Sequence, residues 1–169
     1  MKKITVLTVI FVLFLAFFSS CAKKGDPLAY EKGKINAEIL ILMNGTTLRA
    51  EMELMPIEDG KERDASLVFT SPESMSGLSV YRRNGEVSAS LGDFKLSVPN
   101  SALLYVTELF STRGTVISAE TETVDGESLT KLSVKADGEM YTVWLTYNGL
   151  PRKILHENMT VDIVWLESE

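Results

Sequence analysis

Tight-turn dipeptides recur along this chain and divide it into short segments. Asn-Gly or Asp-Gly occurs six times, at Asn44-Gly45, Asp59-Gly60, Asn84-Gly85, Asp125-Gly126, Asp137-Gly138 and Asn148-Gly149. Such a pair between two alternating apolar runs is the strongest local signal for a β-hairpin, because a type I′ turn requires two residues with positive φ. The repeated signal predicts a meander of antiparallel strands.

The segments between these turns alternate apolar and other residues. From Ile35 to Met43 every second residue is apolar, and the segment that ends at Leu54 returns with the same period. The predicted strands are 35–43, 48–54, 65–70, 78–83, 86–91, 93–98, 115–124, 127–136, 139–147, 152–157 and 159–166. Short strands that follow one another so closely predict a sandwich or a barrel, open or closed.

One segment departs from the two-residue period. Between Pro99 and Gly114 the apolar residues recur at helical spacing, namely Ala102, Leu103, Val106, Leu109 and Phe110. The apolar stripe of a helix must pack on an apolar surface, and the face of the sheet is the only large one that the pattern provides. The predicted fold class is mainly β (α+β minor): a curved antiparallel half-barrel of about eleven strands with one mid-chain helix over the concave face.

The N-terminal end predicts export. Lys2 and Lys3 precede an uncharged run from Ile4 to Phe18, and small residues then lead to Cys21, the only cysteine of the chain. This order is that of a signal peptide. The run is shorter than the roughly 20 apolar residues that span a bilayer, so a spanning anchor is the less favoured alternative. We expect residues 1–20 to be a signal peptide.

Phe18-Ser19-Ser20-Cys21 resembles the lipobox of bacterial lipoproteins. The resemblance implies that Cys21 carries a diacylglyceryl thioether and becomes the mature N-terminus. Two or more acyl chains hold a protein stably on a membrane, whereas one chain holds it weakly. We therefore expect the protein to be extracytoplasmic and lipid-anchored to a bacterial membrane; a secreted protein with an unmodified thiol is the alternative.

The remaining chain is acidic and long enough for one domain. We expect a lipid-anchored tether over 21–33 and the half-barrel domain over 34–169. The formal net charge of the chain is −6, and both leader lysines are lost on cleavage. This charge argues against a nucleic-acid partner and against electrostatic docking on anionic lipid. The predicted membrane contact is therefore the lipid on Cys21, and the oligomeric state stays open.

No catalytic constellation is visible in the sequence. His156, the only histidine, lies on a predicted strand beside Glu157 and is expected to be a surface residue. The serines of 71–74 lack a Gly-x-Ser-x-Gly elbow, and the acidic loop 59–64 lacks the spacing of a calcium-binding EF-hand. We expect no enzyme activity, no cofactor and no metal site.

The order of hairpins and helix resembles the lipoprotein-carrier family of periplasmic lipoprotein chaperones and their lipid-anchored relatives. The resemblance is carried by Ser71-Pro72-Glu73 before Gly77-Leu78, by the helix after Pro99, and by Asn148-Gly149-Leu150-Pro151 before the last two strands. Members of this family have an unclosed half-barrel in which helices cover a hydrophobic cavity, and this implies a lipid or lipoprotein ligand. Because a tethered protein cannot ferry cargo freely, local lipid binding, acceptance or sensing is expected.

Two function hypotheses follow. The first is an envelope lipoprotein that binds an acyl chain or lipidated partner between sheet and helix, with predicted walls Met52, Leu54, Leu103, Val106, Phe110, Met140 and Trp144. Strand 139–147 is apolar on both faces, so either both faces are covered by other parts of the protein or one face lines a pocket. The second is a non-enzymatic protein-interaction or sensor module. An empty cavity of roughly 300 Å³ or more favours the first, and a packed interior favours the second.

Overall fold

The computed structural model describes residues 26–58, 61–97, 102–111 and 113–168, with the backbone alone for 96–97 and 102–103. The predicted signal peptide and Cys21 lie outside the described residues. None of the helices in these ranges is long and apolar enough to cross a membrane.

Eleven strands and one α-helix form the described fold. The strands are β1 (Ile35–Met43), β2 (Thr46–Leu54), β3 (Ala65–Ser71), β4 (Leu78–Arg83), β5 (Glu86–Leu91), β6 (Phe94–Ser97), β7 (Thr115–Val124), β8 (Glu127–Ala136), β9 (Glu139–Leu145), β10 (Pro151–His156) and β11 (Met159–Ser168). The helix α1 (Ala102–Glu108) lies between β6 and β7, and single 3-10 turns occur at Ala29–Lys32 and Glu73–Met75.

All eleven strands belong to one antiparallel sheet that does not close. Its order is β6-β5-β4-β3-β2-β1-β11-β10-β9-β8-β7. Strands that follow each other in sequence are neighbours, except for β6 and β7, which lie at opposite edges. The pairing of β1 with β11 joins the two halves of the sheet. The chain therefore starts in the middle of the sheet, reaches one edge at β6, and crosses through α1 to the other edge at β7. The predicted fold class is confirmed.

The predicted turns explain the hairpins. Both residues have positive φ at Asn44-Gly45, Asn84-Gly85, Asp125-Gly126 and Asp137-Gly138. This is the backbone of a two-residue type I′ turn, in which glycine at the second position carries no steric cost. In Asn148-Gly149 only Gly149 has positive φ, and this pair lies within a longer connection. Asp59-Gly60 lies outside the described residues.

The core lies on the concave face, where alternate positions of the strands meet. On β1, for example, Ile35, Ile39 and Ile41 are fully buried while Leu42 on the other face is exposed. The N-terminal segment also joins this core, since Leu28 and Tyr30 are buried in it. The tether predicted over 21–33 is therefore wrong for its second part: residues 28–32 pack on the domain.

Candidate ligand-binding site

Helix α1 lies against β3 and β4 with its apolar side chains buried in the core. Among the predicted walls, Met52 and Leu54 of β2 and Val106 and Phe110 of the helix segment all come to this core, and each is nearly inaccessible to solvent. The side chain of Leu103 lies outside the described residues. The helix and sheet are therefore in direct contact, and these four predicted wall residues belong to one shared core.

Met140 and Trp144 lie on the opposite face of the sheet. Their neighbours Tyr141 and Val143 point into the core, and successive residues of a strand point to opposite faces. Trp144 stands beside Lys131 and Lys153, and its indole Nε1 donates to Glu122 at 3.2 Å. The prediction that Met140 and Trp144 line a space under the helix is wrong. Strand β9 is apolar on both faces, and the face that packs in the core is that of Tyr141 and Val143.

Arg63 fastens the end of the helix segment to the rim of the sheet. Its Nε donates to the carbonyl of Met55 at 2.6 Å, and Nη1 donates to the carbonyl of Phe110 at 3.1 Å and to Ser111 Oγ at 2.7 Å. Nη2 donates to the carbonyl of Gly33. Burial lowers the pKa of Arg63 to about 10, and the nearby carboxylate of Glu31 opposes this shift. Sequence analysis missed Arg63, because its partners are carbonyls that are remote in sequence.

His156 is buried, with only 4% of its surface exposed, and the prediction of a surface residue is wrong. The reason is register: His156 and Ile154 are two residues apart on β10, so both face the core. The imidazole stacks on Tyr141 with 4.3 Å between ring centroids, and its Nδ1 lies 3.1 Å from the Tyr105 hydroxyl. Its Nε2 lies 3.0 Å from Glu139 Oε2, within ion-pair range but not aligned as a hydrogen bond.

Glu139 connects the same helix to the other half of the sheet. Tyr105 on α1 and Tyr141 on β9 both donate their hydroxyls to Glu139 Oε2, at 3.1 and 3.0 Å. These two bonds, that of Tyr141 first, lower the pKa of Glu139 against the opposing effect of desolvation. The helix is thus held on one side by Arg63 and on the other by this tyrosine–carboxylate cluster.

We predict that Glu139→Gln lowers the stability of the protein at neutral pH more than at acidic pH. The pKa of Glu139 is lower in the folded than in the unfolded protein, so its contribution is complete above the unfolded value of about 4.3. The contribution is lost as the pH falls through the folded value. The Tm difference between wild type and Glu139→Gln is therefore expected to be larger at pH 7 than at pH 3. An equal difference at the two pH values would contradict the assignment.

One part of the concave face is not covered by α1. Leu78 pairs with Leu91, which pairs with Phe94, and Val80 pairs with Ala89 on the same face. Val80 is buried in the core, whereas Leu91 and Phe94 are 49% and 81% exposed. We call Leu78, Ala89, Leu91 and Phe94 the β4–β6 patch. Leu78 and Ala89 are partly buried against the core, and Leu91 and Phe94 continue this apolar surface into solvent.

A polar cleft lies at the end of α1, where Arg82 of β4 faces it. It has a volume of about 300 Å³, and Arg82, the cross-strand partner of Val87, lies in its wall together with Thr107 and Glu108. Two larger clefts, of about 640 and 510 Å³, lie beside the 55–64 loop and beside the N-terminal 3-10 turn. None of these three clefts reaches Val106 or Phe110. In the described ranges, no three His, Cys, Asp or Glu side chains are grouped closely enough to hold a metal ion.

Comparisons with known proteins show the fold. No protein-family model matches the sequence, and no curated protein matches it. An uncharacterized conserved protein from Thermus thermophilus is similar in structure, with a TM-score of 0.56 and 12% identity over 85% of this chain and 84% of that chain. MucB has a TM-score of 0.52 and 15% identity over 84% of this chain and 56% of that chain, so this chain spans little more than half of MucB.

A LolA superfamily protein from Nitrosomonas europaea also matches, with a TM-score of 0.43 and 11% identity over 84% of this chain and 90% of that chain. Identities this low bear on the fold alone. The open antiparallel half-barrel predicted from the hairpins and the mid-chain helix is confirmed at the level of the fold.

Proposed function

We propose that this protein is an extracytoplasmic lipoprotein, anchored through Cys21, that binds an acyl chain along the β4–β6 patch. The observation that carries the proposal is the exposure of Leu91 and Phe94 on the concave face, where most of the other large apolar side chains that the structure describes are buried in the core or packed against it. Each Å² of apolar surface removed from water contributes about 25 cal/mol, so covering a phenylalanine and a leucine gives an acyl chain a favourable place to bind.

The anchor and the location belong to the same proposal. The positive n-region, the short apolar run and the lipobox-like Phe18-Ser19-Ser20-Cys21 support export followed by lipidation. The packed segment that begins at Leu28 leaves only a few residues between Cys21 and the domain, so the domain would stay close to the membrane surface. We also propose that the protein acts by binding and catalyses no reaction.

Native mass spectrometry of the full chain, purified from the membranes of its own cells, tests the proposal. We expect the denatured mass to show a diacylglyceryl group on a chain that begins at Cys21, and the native mass to show an additional bound lipid. Leu91→Ser with Phe94→Ser is expected to remove the bound lipid and leave the covalent one.

Trp165→Ser is the matched control, because Trp165 is a large apolar residue of comparable exposure on β11 that does not belong to the patch. The control should keep the bound lipid. Equal loss in the control and in the patch variant would contradict a site on the concave face.

A second candidate is a non-enzymatic protein-interaction or sensor module, which the packed contact between α1 and the sheet favours. Wild-type protein with no bound lipid, together with a protein partner whose binding depends on Phe94, would support this candidate instead.

A further inference from the structure

We propose that the ligand is a single-chain amphiphile with an anionic head group, and that Arg82 binds the head group. The inference rests on the proposed function and adds the chemical class of the ligand. Leu78, Val80 and Arg82 alternate on the concave face of β4, so Arg82 shares a face with the patch. Arg82 follows Leu78 four positions further along the strand, which corresponds to about 13 Å. This spacing suits a ligand whose acyl chain lies on the patch and whose charged head group reaches Arg82.

Cationic side chains are enriched in the lining of the cleft around Arg82. Its charged lining consists of the cations Lys61, Arg63, Arg82 and Arg113 and the carboxylates Glu62, Glu108 and Asp137. Lys61 is also paired with Glu58, so cations and carboxylates are balanced here, in a chain whose net charge is −6. An anionic head group therefore meets less repulsion in this cleft than the net charge of the chain would suggest.

Arg82 is nearly buried, but both carboxylates that pair with it are exposed to solvent. Its side chain is 10% exposed, and Nη2 donates to Glu108 Oε1 at 3.0 Å. The contact from Nη1 to Glu62 Oε2 is 3.6 Å, which is too long for a hydrogen bond. A guanidinium offers a fork of donors that a carboxylate or phosphate group fills with two parallel bonds. A head-group anion that displaces the carboxylate of Glu108 can fill this fork.

Glu108 is the competitor of the ligand at Arg82. Its side chain is 53% exposed, and a pair with a carboxylate this well solvated contributes little to stability. Exchange of Glu108 for a ligand anion therefore costs little, and the anion gains charge-assisted hydrogen bonds to a guanidinium that water reaches poorly. Removing the charge of Glu108 should consequently strengthen the binding of an anionic ligand.

Photolabelling of the full chain in nanodiscs of phosphatidylcholine tests this inference. The probes are dodecanoate, dodecyl phosphate and dodecanol, each with a diazirine at the end of the chain. Trypsin cleaves after Arg83 and Lys95, so label on the peptide 84–95 reports on Leu91 and Phe94. We expect at least one anionic probe to reach half-saturation at about tenfold lower concentration than dodecanol. The better anionic probe distinguishes a carboxylate head from a phosphate head.

Two variants make the inference falsifiable. Arg82→Gln should abolish the advantage of the anionic probes, and Glu108→Gln should lower their half-saturating concentration while dodecanol is unchanged. Glu167→Gln removes the same charge from β11, away from the cleft, and should change nothing. If Arg82→Gln does not fold, the lower half-saturating concentration of the anionic probes expected in Glu108→Gln decides alone.

The outcomes separate the inference from the function on which it rests. Equal labelling of 84–95 by all three probes, with no response to Glu108→Gln, would overturn the inference and leave acyl-chain binding intact. Absence of label on 84–95 with every probe would overturn both.

Discussion

Replacement of Arg63 by methionine is expected to lower the free energy of unfolding by about 3–5 kcal/mol. Methionine keeps most of the apolar stem but removes the donors to Gly33, Met55 and Phe110. Three carbonyls that lie far apart in sequence then lose their shared partner at a buried place, and unsatisfied buried polar groups are costly. Urea unfolding followed by circular dichroism measures the change.

Arg49→Met is the matched control for this substitution. Arg49 on β2 forms a single ion pair with Glu38 at 2.8 Å, and both side chains are partly exposed to solvent. Such pairs contribute roughly 0–1 kcal/mol, so the control should remain close to wild type. Similar losses in the two variants would show that Arg63 does not hold the helix segment and the rim together.

Phe110→Ala is expected to cost about 3–5 kcal/mol, because Phe110 is fully buried between the helix segment and the sheet. A cavity would remain where the ring was, and the surrounding strands cannot close over it completely. This loss is a large part of the roughly 5–15 kcal/mol by which most domains are stable. The same urea titration measures it.

Phe94→Ala provides the comparison within the same protein. Phe94 is an aromatic residue on the concave face of the sheet, but it is largely exposed, so its removal should change stability by no more than about 0.5 kcal/mol. The same substitution should weaken acyl-chain binding. A large loss of stability in Phe94→Ala would show that its ring belongs to the core and is not a binding surface.

The strands and their order were predictable because the signals for them are local. A pair such as Asn44-Gly45 sets its own backbone, and alternation over β1 and β2 fixes which residues share a face. The predicted bounds of β7 and β8 agree with the structure for this reason. The position of α1 also followed from local periodicity, although the described helix is shorter than the segment predicted for it.

The site was less predictable because it depends on relations between remote residues. Alternation in β9 gives two apolar faces but does not tell which one the core uses, and Trp144 was assigned to the wrong one. The burial of His156 depends on the partner strands of β10, and the role of Arg63 depends on carbonyls that three separate segments bring together. The short 3-10 turn that buries Tyr30 has no periodic pattern that a sequence could reveal.

The pairing of β1 with β11 has a consequence for how the molecule is assembled. Strands β1–β6 and β7–β11 are each a series of hairpins that can form as soon as their own residues are available. The seam between the two series joins Ile35 to Ser168, nearly the whole length of the chain apart. Contacts this remote are formed late, after the entropy of a long loop has been overcome. Until the last strand arrives, the β1 edge presents unpaired backbone groups, and the nascent polypeptide is then most exposed to aggregation.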